Sequence, residues 1–210
     1  MVKIGFIGEG YSEVLFIKSP QFRVLLESLG IGYVPEPINA LGQDNLRLKL
    51  DSFRANLQDE GANLIVILTD LDNAQTKTRK KENIGIRENQ LIVLAIRAFE
   101  SWFLADTLLM RQLLKNKQFE FAFPENEEEP FETIRRLWLE HTNQGIGKDR
   151  KRLFAQKYIN NGFSIQRAAQ HPNCPSATYF LNKLTKISPQ PPKEAIYTKT
   201  SPSGAGGQLL

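Results

Sequence analysis

The chain has one cysteine, Cys174, and two histidines, His141 and His171, in 210 residues. A single thiol excludes an intramolecular disulfide and any multi-cysteine metal cage, and two imidazoles leave little for a His-rich zinc site. No stretch approaches the roughly 18 apolar residues that a membrane span needs. The opening MVKIGFIGEG runs straight into a strand-like pattern, without a signal-peptide layout. These absences point to a cytoplasmic protein that does not enter a membrane.

What remains is ordinary for a globular chain: 41% apolar and 24% charged residues. The length suits one domain with a real core, or a domain with a small appendage. The net charge of +4 is unevenly spread: residues 1–133 hold 15 Lys/Arg against 20 Asp/Glu, whereas residues 134–188 hold 10 against 2. An acidic first part beside a basic later part suggests a carboxylate-rich surface next to one that faces a polyanion, with nucleic acid a candidate.

Apolar runs at 2–7 (VKIGFI), 64–68 (LIVIL) and 91–96 (LIVLAI) predict buried strands. A further strand is predicted at 31–38 (IGYVPEPI), weakened near its end by Pro35 and Pro37. Helical patterns lie between them. One opens at Ser12-Glu13, one carries Leu46, Leu50, Phe53 and Leu57 after Asp44, and one begins near Glu100. Strands alternating with helices predict an α/β fold with a central parallel sheet of about four strands, covered on both faces. Residues 73–90 are polar and basic and read as a surface loop. The expected organisation is an α/β domain over 1–118, a basic helical region over 119–188 packed on it, and a disordered tail over 189–210. Trp102, Phe103 and Trp138 are expected in the core.

Ligands of an open parallel sheet bind beyond the carboxyl ends of its strands. Here those ends carry acids: Glu9 after the first strand, Asp70 and Asp72 after the central one, and Glu100 shortly after the fourth. If extended geometry persists, Asp70 and Asp72 point the same way. Clustered carboxylates repel unless they are protonated or neutralised. Mg²⁺ or Mn²⁺ removes that repulsion and leaves positions open for a phosphate oxygen and a nucleophile. Gly10 permits a ligand to come close to the backbone. Any one of these acids could simply favour a helix N-terminus; the conjunction of Glu9-Gly10 with Asp70-Leu71-Asp72 is what points to a metal.

GEGYSE followed by ILTDLD resembles the Toprim domain, the metal-binding fold of topoisomerases, bacterial primases and OLD-family nucleases. The resemblance implies a Toprim-like, Rossmann-like fold in which Glu9 is the first acid and Asp70 and Asp72 are the pair that with it holds Mg²⁺. Glu13, at the fourth position after Glu9, resembles the OLD-like branch more than the primase branch. Glu13 and Glu100 are candidates for recruiting a second metal. A closer resemblance is to small bacterial Toprim-like proteins, through Glu100-Ser101-Trp102-Phe103-Leu104-Ala105-Asp106 and Lys148-Asp149-Arg150-Lys151-Arg152-Leu153. It covers most of residues 3–188. The Gly often found after the Asp pair is missing, and a fused ATPase domain of the OLD kind is absent, so an ATPase would be a separate partner.

Lys148, Arg150, Lys151 and Arg152 are candidates for clamping phosphates, with Lys151 supporting charge on the scissile group. Leu153 and Phe154 would anchor Lys151 and Arg152 to the core. Lys77, Arg79, Lys80 and Lys81, just past the Asp pair, could track a nucleic-acid backbone. Residues 164–186 read as two short helices, either a DNA-reading pair or core packing.

The expected function is that of a Toprim-type nuclease: Mg²⁺- or Mn²⁺-dependent hydrolysis of DNA or RNA, with Glu9, Asp70, Asp72 and Lys151 catalytic. Expected partners are nucleic acid, a separately encoded ATPase of the phage-defence kind, and a second copy of the chain. The alternative is a non-catalytic or partner-activated nucleic-acid-binding subunit. Haloacid-dehalogenase-like phosphatases and glycosyltransferases also use Asp-x-Asp, but neither explains Glu9-Gly10.

Overall fold

The computed structural model describes residues 2–72 and 76–189. The apolar runs become strands covered on both faces, as continuous hydrophobic strands require. β1 (Lys3–Gly8), β2 (Gly32–Tyr33), β3 (Ile38–Asn39), β4 (Leu64–Asp70) and β5 (Gln90–Ala95) form one parallel sheet in the order β2-β1-β4-β5. Gly5 lies opposite Ile65 and Asp70 opposite Ala95, so β4 is flanked along its length. The α/β class and the parallel sheet are as expected. Among the described residues the sheet has five strands, because residues 31–38 do not form one strand. Pro35 and Pro37 have no N–H to give a ladder. The segment is divided into β2, paired with Lys3 and Ile4, and β3, paired with Ile7 and Gly8.

The helices are α1 (Tyr11–Ile17), α2 (Pro20–Ser28), α3 (Gln43–Asp59), α4 (Lys77–Ile84), α5 (Glu100–Ala105), α6 (Thr107–Leu114), α7 (Pro130–Thr142), α8 (Lys151–Asn160), α9 (Ile165–Gln170) and α10 (Pro175–Ile187). Alternation along the strands sorts the core into two layers. Ile7, Ile65 and Ile67 pack with Leu46, Leu50 and Leu57 of α3. Ile4, Phe6, Val66, Leu68 and Val93 face a larger core that also holds Ile134, Trp138, Phe154 and Tyr158 from beyond residue 118. That core is aromatic: Phe180 stacks on Trp102 with ring centroids 5.8 Å apart and on Phe22 at 5.9 Å. Trp102, Phe103 and Trp138 are buried, as expected. Residues 164–186 form α9 and most of α10, which bury Ile165, Ala168, Ala177, Phe180 and Leu184 in this core.

Two local expectations are corrected. Residues 77–84 are not a loop but α4, capped by Thr76, whose Oγ1 accepts the Arg79 N–H at 3.1 Å. Leu153 does not anchor its neighbours, being 64% exposed on α8; Phe154 is the buried one. The tail, apart from Pro189, lies outside the described residues. No helix among the described residues is long and apolar enough to cross a membrane.

A close approach between sheet and helix falls beside the acids. A Cβ at Gly8 would lie 2.9 Å from Val14 Cγ2 and 3.0 Å from Glu13 Cβ. Only the missing side chain lets α1 sit this low on β1. Gly8→Ala should destabilise the fold by about 1–3 kcal/mol through overpacking and lift Glu13 from its position. A lowered urea midpoint with an unchanged denaturant slope is the expected measurement.

Candidate active site

β1 and β4 are neighbours and end together, which brings Glu9 and Asp70 to one rim. The Glu9 N–H bonds to the Leu68 carbonyl at 2.9 Å, and Thr69 Oγ1 donates to the Glu9 carboxylate. α1 starts at once, with Gly10 as its extended N-cap. Gly10 has no side chain to offer, so only half of a capping box forms: the Glu13 carboxylate accepts the Gly10 N–H at 3.2 Å. Ser12 sits inside the helix rather than capping it, and its Oγ donates to Glu100 Oε1 at 3.2 Å. Asp70 Oδ1 accepts the Phe99 N–H at 2.8 Å, which fixes the start of α5 and hence Glu100. Lys151, the first residue of α8, reaches back to place Nζ 2.9 Å from Glu100 Oε2. The Arg152 guanidinium lies 3.6 Å from the Tyr11 ring centroid, and the Tyr11 hydroxyl donates to Gln156 at 3.3 Å. These contacts dock α8 on α1 and hold Lys151 over the acids.

The charge balance of this cluster is poor. Burial raises the Asp70 carboxyl well above the ordinary range, and the charges of Glu13 and Glu100 add to the effect. Burial likewise pushes Glu13 up to about 7; Glu100 and Glu9 contribute, against a backbone hydrogen bond that pulls the other way. At Lys151 burial works to lower the pKa, but Glu100, Asp70 and Glu13 outweigh it and leave the ammonium's pKa raised. Four carboxylates thus gather around one ammonium, and the donors are all oxygen, as Mg²⁺ and Mn²⁺ prefer. As the side chains stand, among the described residues no three acids, histidines or cysteines converge closely enough to hold an ion.

Asp72 stands apart from Asp70. The strand ends at Asp70, and Asp72 takes the left-handed conformation (φ 49°), with its N–H bonded to the Arg97 carbonyl at 3.0 Å. The extended geometry that would have aligned the two aspartates is gone. Asp72 Oδ2 instead receives the ammonium of Lys80 at 2.8 Å. Lys80, expected to track a nucleic-acid backbone, is 1% exposed and is neutralised by this pair. Arg97, itself left-handed (φ 65°), had not been singled out from the sequence. It lines an open cleft of about 490 Å³ with Asp72, Glu100, Phe131, Glu132 and Lys151. Glu128 and Glu129 of the ENEEE run also line it, so Arg97 and Lys151 are its cations among several acids.

Of the other basic candidates, Lys77 and Arg79 are exposed on α4, and Lys81 is half-buried beside Tyr179. Arg150 is exposed in the short turn 148–150 that precedes α8, where the backbone of Lys148 also lies. The ESWFLAD segment divides its labour. Glu100 belongs to the acid cluster, Trp102 Nε1 donates to Ser176 Oγ at 2.7 Å, and fully buried Asp106 binds Arg167 through Nε and Nη2 at 2.7 and 2.8 Å. Ser12 and Thr69, which hold Glu100 and Glu9, were missed because a hydroxyl beside a strand or helix end reads first as a cap.

No family model and no curated protein matches the chain. Solved structures similar to it include the C-terminal region of the Burkholderia pseudomallei OLD protein, with 13% identity, a TM-score of 0.39, and coverage of 87% of this chain and 98% of that one. The C-terminal region of the Xanthomonas campestris pv. campestris OLD protein is another, with 15% identity, a TM-score of 0.31, and coverage of 88% and 96%. The likeness is to OLD proteins.

Proposed function

We propose that the protein is a Mg²⁺- or Mn²⁺-dependent phosphodiester hydrolase of nucleic acid, centred on the rim shared by β1, β4 and β5. The observation that carries this reading is the cluster of Glu9, Glu13, Asp70 and Glu100 around the single ammonium of Lys151, opening on a cleft. In this reading those four acids would hold the metal after their side chains close on it, and Asp72 would join them only by giving up Lys80. A cation bound there would supply positive charge to a phosphate oxygen and acidity to a water. Lys151, paired with Glu100 as the side chains stand, is held within reach by the docking of α8 on α1 and would turn its N–H donors to the phosphate were Glu100 to hold a cation. Arg97, which lines the same cleft, orients the same phosphate.

Purified protein with Mn²⁺ is expected to cut at least one of single-stranded DNA, duplex DNA and RNA, and EDTA is expected to stop it. Lys151→Gln should slow cutting by about 10²–10³-fold, the usual loss on removing one donor to transition-state charge. If every substrate survives Mn²⁺ intact, the isolated protein is not such an enzyme. The ion pairs of Lys151 with Glu100 and Lys80 with Asp72 favour a second reading, a centre that a partner must rearrange. A separately encoded ATPase is the partner in that case, and cutting appears only when it is added.

A further inference from the structure

The two basic segments of the sequence, 77–81 and the later helical part, meet away from the acids. α4 packs on one face of the sheet and α10 on the other, where it lies against β5, the end of the strand order, and Lys77 and Lys81 of α4 line a cavity with Tyr179 of α10. There Tyr179 of α10, 38% exposed, has the ammonium of Lys81 at 5.5 Å from its ring centroid and that of Lys183 at 5.3 Å. A cavity of about 280 Å³ opens beside the ring, with Lys77 and Lys81 on its rim and Leu94, Pro175 and Ser176 completing it. Among the described residues that line it none is acidic, in contrast to the cleft over the catalytic rim.

We propose that this surface is a stacking platform for single-stranded nucleic acid. The proposal rests on nucleic acid being the partner, and it narrows the bound form to an unpaired strand. An exposed aromatic ring among lysines is the combination that such strands need: a π-face for a base and cations for the phosphates on either side. The lysines over the ring do not block it. Stacking a base on the ring contributes more than an exposed cation–π contact does, so the base displaces an ammonium and the ammonium moves to a phosphate. The cavity beside the ring includes Leu94 and Pro175 in its lining and has room for a neighbouring base. Duplex is not suited, because its bases present no free face. The platform is joined to the catalytic rim by Ser176, which accepts the Trp102 Nε1–H and, at 3.4 Å, the N–H of Ile96 just past β5.

The test is binding of labelled oligo-dT, oligo-rU and a duplex to the full chain carrying Asp70→Asn, in EDTA, so that affinity is measured without cleavage. Tyr179→Ala should weaken oligo-dT and oligo-rU by about tenfold and leave duplex binding unchanged, while Tyr179→Phe retains the affinity. Replacing Lys81 and Lys183 together by Gln should reduce the salt slope by about 1.4, the value for two phosphate contacts on a single strand. Photocrosslinking of a bromouracil-substituted strand should label the tryptic peptide that contains Tyr179. Unchanged single-strand affinity in folded Tyr179→Ala, or no binding of any single strand, overturns the platform. Tyr179-dependent binding by a protein that cuts nothing with Mn²⁺ leaves the platform standing and removes the hydrolase reading. Cutting that is indifferent to Tyr179 does the reverse.

Discussion

Asp70→Asn should make the metal-free protein more stable near neutral pH and cut metal-dependent strand cleavage by at least about 10²–10³-fold. The two effects have one origin. Asp70 is a buried carboxyl at the end of β4, and burial together with the charges of Glu13 and Glu100 disfavours its ionised form. An amide of the same shape keeps the Oδ1 acceptor for the Phe99 N–H and removes the charge. Replacing a buried charge by a neutral group that fits contributes about 1–4 kcal/mol in favourable cases, several degrees in melting temperature for a chain of this size. The same amide is a poor ligand for Mg²⁺ or Mn²⁺ and carries no charge to attract either. The measurements are thermal melts in EDTA and with Mn²⁺, alongside the cleavage assay. A variant that is no more stable in EDTA, or that still gains stability from Mn²⁺ as the parent does, contradicts the assignment of Asp70.

The pH dependence of stability should run opposite to that of most acidic groups in folded proteins. Glu13 has an ordinary pKa of 4.5 that is raised to about 7 in the folded protein. Between those values the folded state binds the proton more tightly than the unfolded state, so stability falls as pH rises through the window. Asp70, shifted in the same direction, adds to the slope. The loss attributable to Glu13 is about 3 kcal/mol across the window. Lys151, with its pKa raised, contributes stability that is fully present below its ordinary value of 10.5, so it does not disturb this range. Mn²⁺ should flatten the slope and release protons on binding, because a metal takes the carboxylates in their charged form. Glu13→Gln should flatten it without metal. Denaturation at a series of pH values in EDTA, repeated with Mn²⁺, checks each point. A stability that rises from about pH 5 to about pH 7 in EDTA removes the unbalanced acid cluster as the feature that governs this protein.

Much of the architecture was legible because it follows from local pattern. VKIGFI, LIVIL and LIVLAI are strands because continuous apolar runs bounded by polar residues have few other uses. Glu9, Asp70 and Glu100 fall on one rim because parallel strands joined by helices all end on the same side. The interruption at Pro35 and Pro37 could be seen coming, though not that each fragment would find its own stretch of β1.

The site itself was only half legible. The sequence named the acids, ranking Asp72 with Asp70 and leaving Glu13 and Glu100 as auxiliaries. The fold reverses that order among the side chains as they stand: Glu13 and Glu100 crowd Asp70, and Asp72 turns away to neutralise Lys80. A left-handed φ at Asp72 does this, and no residue pattern announces it, since the turn is held by a carbonyl 25 positions later at Arg97. Lys151 and Glu100 are likewise brought together by the docking of α8 on α1, through Tyr11, Arg152 and Gln156. By itself the sequence determined which chemical groups exist and which end of the sheet they reach, because strand direction and alternation are local properties. Which carboxylates face one another, which cation offsets them, and that Tyr179 meets Lys81 across the sheet edge were decided by tertiary packing, because Coulomb forces depend on distances that only the folded chain sets.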